Sequence, residues 1–252
     1  MTEREIGGAP FAVDGGSFPW PAKDGLVKIC GLRRPEDARA AAVAGADLLG
    51  FIFAPAGRQV SADTAQRCRS AANEGQQRTN KPLAVGVFVD ASVDDMNATA
   101  DKAGLDLVQL HGDEAPALLA RLNRPVIKVL RPLSGTSVDA LVALISSYAG
   151  VPNAPVAYLI EGFSPTAHGG AGVQADWALV SALAGRHRII LAGGLNESNV
   201  GDAIYASTPF AVDVSSGVER DGCKDPERIG AFVRMARSAF LGARPAHGRL
   251  GC

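Results

Sequence analysis

From Leu26 onward, eight short apolar runs rich in β-branched residues alternate with alanine-rich stretches whose apolar positions recur at helical spacing. The runs are Leu26–Cys30, Asp47–Phe51, Leu83–Phe88, Leu107–Leu110, Pro125–Leu130, Val156–Ile160, Arg188–Leu191 and Phe210–Val214. Near-continuous apolar character over so short a length is what a strand buried on both faces requires, and such strands belong to parallel sheets. A parallel pair needs a crossover between its strands, and the amphipathic stretches supply one. Two helix starts are marked by Pro35 with Glu36 and Asp37, and by Ser61 with Asp63. Proline in a first turn gives up only an amide that would have had no partner, a serine oxygen caps free amides, and acidic residues suit the positive end of the helix dipole. An open doubly wound sheet alternates in the same way, but no GxGxxG follows the first run, and eight consecutive units favour closure. The expected fold is α/β, a single-domain (β/α)8 or TIM barrel.

The chain has 252 residues, 47% of them apolar, which suits one barrel with a sizeable core. Residues 1–25 are rich in Gly, Pro and isolated aromatics without periodicity, and read as an N-terminal extension that need not be ordered. The barrel is expected over 26–240, with 241–252 a short frayed tail. Lys and Arg (25) nearly cancel Asp and Glu (26), so no long-range field gathers nucleic acid or a membrane surface, and the expected partner is a small molecule. The four cysteines, Cys30, Cys68, Cys223 and Cys252, form no CxxC pair and lie near no histidine at metal-ligand spacing. A reduced, cytoplasmic setting without a metal is expected. No apolar run approaches the roughly 18 residues of a membrane span, and MTEREIGGAP lacks the order of a signal peptide. No surface stripe stands apart from ordinary barrel helices, so the sequence sets no oligomeric state.

Active sites of parallel barrels lie at the C-terminal ends of the strands, which directs attention to the polar residues just after each run. Cys30 ends the first run, and three readings are open for it: a nucleophile, a general base or a buried small hydrophobe. Lys28, two residues earlier on the same side of the strand, would stabilise a thiolate, and it is the one obvious internal lysine near a strand end. Glu161 follows Tyr158-Leu159-Ile160 and reads either as an acid or base at the barrel mouth or as a loop carboxylate satisfied by a neighbour. His111 ends VQLH, where an imidazole lines a site or orients a neighbour more readily than it transfers a proton. Arg58 in FAPAGRQVS offers a planar fork for a carboxylate, set against a plain exposed loop arginine. Cys68, Cys223 and Cys252 read as structural or incidental.

Glycine clusters follow three adjacent late strands: His168-Gly169-Gly170-Ala171-Gly172, Ala192-Gly193-Gly194 and Ser215-Ser216-Gly217. Phosphate is held by backbone N–H groups that only a chain without side chains brings close, and barrels often build that site on their last loops. One such cluster is weak; three on neighbouring loops point to a phosphorylated ligand.

These residues resemble a known family, the phosphoribosylanthranilate isomerases. The blocks that carry the resemblance appear in family order: Val27-Lys28-Ile29-Cys30-Gly31-Leu32, Gly45-Ala46-Asp47, Gly50-Phe51-Ile52-Phe53, Arg58-Gln59-Val60-Ser61, Gly86-Val87-Phe88, Val108-Gln109-Leu110-His111-Gly112-Asp113-Glu114, Ala192-Gly193-Gly194-Leu195 and Asp213-Val214-Ser215-Ser216-Gly217-Val218-Glu219. They run from about Val27 to Val233, and the first 25 residues have no counterpart in them. The resemblance implies a TIM barrel and a cofactor-free Amadori rearrangement of N-(5-phosphoribosyl)anthranilate in tryptophan biosynthesis. It implies Cys30 as general base and Glu161 as general acid, Arg58 on the anthranilate carboxylate and Asp213 on sugar hydroxyls. It also implies backbone around Gly172, Gly193, Gly194, Ser215 and Ser216 on the phosphate, with His111 lining the site.

The sequence departs from the family in one place that bears on chemistry: the acid is ordinarily aspartate, and here it is Glu161. Glutamate and aspartate differ by about 0.4 units in unperturbed pKa, so the departure concerns reach rather than acidity. A lesser departure puts Ala175 before Asp176-Trp177, where the family has an aromatic residue. Two further readings stand beside the isomerase. One is another barrel enzyme acting on a phosphosugar, since phosphate loops are shared more widely than chemistry; the other is a phosphosugar-binding protein without turnover.

Overall fold

In the computed structural model, which describes residues 18–21, 25–74, 81–162 and 175–243, eight parallel strands close on themselves in chain order. They are β1 (Leu26–Ile29), β2 (Leu48–Ile52), β3 (Leu83–Phe88), β4 (Leu107–Leu110), β5 (Val126–Leu130), β6 (Ala157–Ile160), β7 (Ile189–Leu191) and β8 (Ala211–Val214), and β8 pairs with β1 to complete the barrel. Every boundary falls within one residue of the run read from the sequence.

The helices are α1 (Pro35–Ala44), α2 (Ala62–Asn73), α3 (Val93–Ala103), α4 (Val138–Ser147), α5 (Trp177–Ala184) and α6 (Val200–Ser207), which cross between strands, and α7 (Pro226–Ala243), which follows β8. Pro35 opens α1 with Glu36 and Asp37 in its first turn, and the Ser61 hydroxyl accepts from the Thr64 amide at the start of α2, as the sequence signals predict. Ser92 and Ser137 cap α3 and α4 in the same way. The crossover after β4 is a 3-10 helix, Pro116–Arg121. Between Leu110 and Val126 the chain first forms a loop tied down by Glu114, and the remainder accommodates only about two turns of 3-10 helix.

Side chains alternate between the barrel interior and the helix layer. Leu26, Leu48, Val85, Leu107, Ile127, Leu159 and Ile190 fill the interior, while Val27, Ile29, Leu49, Phe51, Val108 and Val212 pack outward. The helices meet that outer layer with small residues such as Ala38, Ala41, Ala42, Ala65 and Cys68, all fully buried, so the helix axes lie close to the sheet. Each large side chain removed from water contributes about 1.5–3 kcal/mol, offset by chain entropy. The interior cluster stops short of the C-terminal ends of the strands, where polar residues take over.

At the opposite mouth, Phe18 and Trp20 pack against the interior cluster, with Trp20 edge-on to Phe210 at 5.2 Å. These two aromatics come from the stretch 1–25 that shows no periodicity in sequence; they make tertiary contacts without secondary structure. Helix α7 continues to Ala243, past the boundary at 240, because Phe240 and Ala243 still reach the core. No helix among the described residues is long and apolar enough to cross a membrane.

Candidate active site

The C-terminal ends of the strands surround a cavity of about 510 Å³. Cys30, Arg58, His111, Glu161, Asp213, Gly193, Gly194, Ser215 and Ser216 all line it. Gly172, the remaining phosphate candidate, lies outside the described residues, as does the stretch His168 to Gly170.

Strand parity explains the gathering. On β1 the inward positions are Leu26 and Lys28, and the next inward position, one residue past the strand, is Cys30. Its amide donates to the Val214 carbonyl at 2.8 Å, which holds the residue in line with β8. The facing residue on β2 is Gly50: a Cβ there would stand 2.6 Å from Cys30 Sγ, so a side chain at that position would expel the thiol. Cys30 is 6% exposed. Burial pushes its thiol pKa up and Asp213 adds to this, with Lys28 and more distant Lys224 opposing; the net direction is upward. The resting side chain is therefore a thiol with a cation beside it.

That cation is paired. The parallel register sets Lys28 beside Asp213, and Lys28 Nζ donates to Asp213 Oδ2 at 3.1 Å with the lysine fully buried. Burial lowers the Lys28 pKa, but Asp213 and Cys30 outweigh it and the ammonium is held above its usual range. For Asp213, burial pushes the carboxyl up more than Lys28 pulls it down. Its other oxygen, Oδ1, is buried and has no hydrogen-bond partner among the described residues. A polar atom in that condition is costly unless a ligand satisfies it.

Across the cavity, His111 and Glu161 meet. His111 Nε2 and Glu161 Oε2 are 3.0 Å apart, each residue almost wholly buried, and the Glu161 amide is anchored on the Leu130 carbonyl at 3.2 Å. Arg58 arrives from the loop after β2, which returns alongside that strand through the Ile52–Gln59 bridge. Its Nε and Nη2 donate to the two carboxylate oxygens of Glu219, both at 2.8 Å.

The family model described as N-(5'-phosphoribosyl)anthranilate (PRA) isomerase matches residues 27–235. The chain belongs to the phosphoribosylanthranilate isomerase family. It is 42% identical over 219 residues to the N-(5'-phosphoribosyl)anthranilate isomerase of Citrifermentans bemidjiense, covering 85% of this chain and 98% of that one. It is also 42% identical over 213 residues to the enzyme of that name from Pseudomonas putida, covering 84% and 97%. Among solved structures it is similar to the phosphoribosyl anthranilate isomerase of Thermotoga maritima, with 32% identity, a TM-score of 0.71, and coverage of 84% and 98%. A phosphoribosyl anthranilate isomerase solved in complex with reduced 1-(o-carboxyphenylamino)-1-deoxyribulose 5-phosphate is similar at 32% identity with a TM-score of 0.68, covering 84% and 98%.

Within the isomerase family's frame, several residues carry more of the site's architecture than the sequence reading assigned them. A second buried lysine stands away from any strand end: Lys128, in the middle of β5, is 3% exposed, faces the helix layer, and donates to Glu114 at 2.7 Å and to the Gly112 carbonyl at 2.6 Å. Glu114 also accepts from the Asp90 and Gly112 amides, so it braces the loop behind His111 rather than lining the cavity. A lysine inside the run Val126-Ile127-Lys128-Val129-Leu130 was the signal, since a charge on a buried strand requires a partner. Glu219 and Lys224 carry no such signal in the sequence, because nothing local marks which carboxylate a loop arginine will meet. Cys68 is buried in α2 and Cys223 is exposed on a short hairpin, both away from the cavity.

Proposed function

We propose that this isomerase converts N-(5-phosphoribosyl)anthranilate to 1-(2-carboxyphenylamino)-1-deoxyribulose 5-phosphate in tryptophan biosynthesis, with Glu161 as general acid and Cys30 as general base. The observation that supports this assignment of roles is that a thiol and a carboxyl face one cavity from β1 and β6 in a chain of this family. Glu161 delivers a proton to the furanose ring oxygen, the C1′–O bond breaks, and the anthranilate nitrogen lone pair forms an iminium with C1′. Cys30, as thiolate, takes the proton from C2′, and the electrons of that C–H bond form the C1′–C2′ double bond of an enolamine while neutralising the iminium. Tautomerisation moves the enol proton to C1′ and leaves a ketone at C2′. The iminium is the electron sink, so the chemistry requires no cofactor.

The remaining groups bind and orient. Lys28 beside Cys30 reduces the cost of ionising a buried thiol. The unsatisfied Asp213 Oδ1 suits a sugar hydroxyl, and Arg58 suits the anthranilate carboxylate. The phosphate is received by backbone around Gly193, Gly194, Ser215 and Ser216. His111 lines the site and, 3.0 Å from Glu161, limits where the longer acid can stand. A cytoplasmic setting, drawn from the thiols of Cys30, Cys68 and Cys223, belongs to the same proposal.

The test is the loss of anthranilate fluorescence as freshly prepared substrate isomerises. Cys30→Ala and Glu161→Gln should each lower kcat by about 10²- to 10⁴-fold. A parent protein that binds the substrate without converting it, beside an active control isomerase, would overturn the proposal and favour a phosphosugar-binding role.

A further inference from the structure

The Arg58–Glu219 contact is one element of a larger construction. The two bonds use the Nε and Nη2 side of the guanidinium. The end edge, made of Nη1 and the second Nη2 hydrogen, is left over, and among the described residues Nη1 makes no hydrogen bond. Guanidinium groups bind carboxylates through either edge, so one arginine can hold two carboxylates in one plane. Glu219 itself is held from behind. It lies on a two-stranded hairpin (β9, Glu219–Arg220; β10, Cys223–Lys224) whose register pairs it with Lys224. Lys224 Nζ donates to Glu219 Oε1 at 2.7 Å and to the Ser215 carbonyl at 2.9 Å, and the lysine is 6% exposed. The hairpin is fastened to the barrel where Arg228 of α7 donates to the Glu219 carbonyl at 3.1 Å and the Asp225 amide donates to that of Val218 at 3.0 Å.

We infer that Glu219 is a positioning residue for Arg58: it occupies one edge of the guanidinium and thereby presents the other edge to the substrate's aromatic carboxylate, while Lys224 ties Glu219 to the phosphate loop at Ser215. The inference rests on the reading of Arg58 as the carboxylate's ligand. Two ends of the substrate, its carboxylate and its phosphate, are then located relative to one another by a single partly buried chain running from Arg58 through Glu219 and Lys224 to the Ser215 backbone. Burial would push the Glu219 carboxyl up, but Arg58 and Lys224 hold it below the usual carboxylate range, so it stays ionised as the bridging anion.

Charge and geometry make opposite predictions, which renders the role testable. Neutralising Glu219 leaves Arg58 and Lys224 without their counter-ion, and on charge alone an anionic ligand should bind more tightly. Loss of positioning instead weakens binding, because the guanidinium plane is released. Binding is measured by titration calorimetry with two probes: reduced 1-(2-carboxyphenylamino)-1-deoxyribulose 5-phosphate, and the same compound without its carboxyl group. Glu219→Gln should weaken the first probe on the order of 10- to 100-fold. It should leave the second within about 2-fold, and should add nothing on an Arg58→Ala background, where the group it acts through is gone. Glu219→Asp, which keeps the charge on a shorter arm, serves the same comparison if Glu219→Gln does not fold, and should weaken the carboxylated probe selectively. Tighter binding of the carboxylated probe, or equal weakening of both, overturns the role of Glu219. If Arg58→Ala itself weakens both probes alike, the reading of Arg58 fails, and this inference with it; if Arg58→Ala discriminates and Glu219→Gln does not, only the role of Glu219 fails.

Discussion

Lys28 Nζ stands 3.1 Å from Asp213 Oδ2 inside the barrel, on two strands whose register sets the residues side by side. A buried pair of this kind brings little net stability when intact, because desolvation of both charges offsets their attraction. Breaking it from one side is another matter. Lys28→Met should destabilise the fold by about 3–5 kcal/mol, since it leaves the Asp213 carboxylate buried beside the cavity without its cation. Lys28→Met combined with Asp213→Asn should recover most of that loss. Chemical denaturation of the single and double variants checks both statements; equal stability of Lys28→Met and the parent would show that the pair is not the support the geometry suggests.

The pH dependence of turnover should report Cys30. Its thiol is pushed up by burial and by Asp213, against the pull of Lys28 and Lys224. The base must be ionised to act, so the active fraction grows as pH rises, and a raised pKa places that growth above the ordinary thiol range of about 8.5. The rate of the chemical step should therefore still be climbing at pH 8 to 9. A plateau below pH 7, measured by single-turnover fluorescence, would mean that the thiolate is formed more easily than its surroundings allow or that another group is the base.

His111 and Glu161 should behave as a unit. Glu161→Asp withdraws the carboxyl by one methylene from its place 3.0 Å from His111 Nε2, and a displacement on the ångström scale costs about 10- to 100-fold in kcat. His111→Ala should lower kcat in the parent, where it braces the longer side chain, and have much less effect on the Glu161→Asp background. Additive losses in that double-mutant cycle would show that the two residues act independently.

The aromatics at the far mouth should matter to stability and not to chemistry. Trp20 is packed between Phe18 and Phe210 against the interior cluster, at the end of the barrel away from the cavity. Trp20→Ala should cost about 1–3 kcal/mol of stability from lost apolar burial and leave kcat unchanged. Thermal unfolding and steady-state rates on the same samples decide it, and a change in kcat at full stability would contradict the separation of the two mouths.

Much of the barrel was legible because its signals are local. A strand such as Leu107–Leu110 announces itself by continuous apolar character, and a helix start such as Ser61 by its cap. Barrel geometry then places whatever follows each strand at one mouth, which is why Cys30, His111 and Glu161 are nominated together from sequence positions, whereas Asp213, inside the last run, is nominated only through the family resemblance. The 3-10 crossover after β4 was not legible, because its form follows from how much chain the Glu114 loop consumes. Phe18 and Trp20 were not legible either: their contacts are tertiary, with no periodicity to betray them.

By itself, then, the order of residues determined the eight-fold alternation, the closure of the sheet, the family and the set of side chains at the barrel mouth, since each depends on patterns within a few residues or on motifs in order. Pairing across the barrel was decided only by the tertiary structure. Lys28 meets Asp213, His111 meets Glu161 and Arg58 meets Glu219 across separations of 185, 50 and 161 positions in the chain. Such partners are selected by strand register and by the curvature that brings β8 back to β1, and charge–charge and hydrogen-bond geometry act through space, with no trace in the spacing along the sequence.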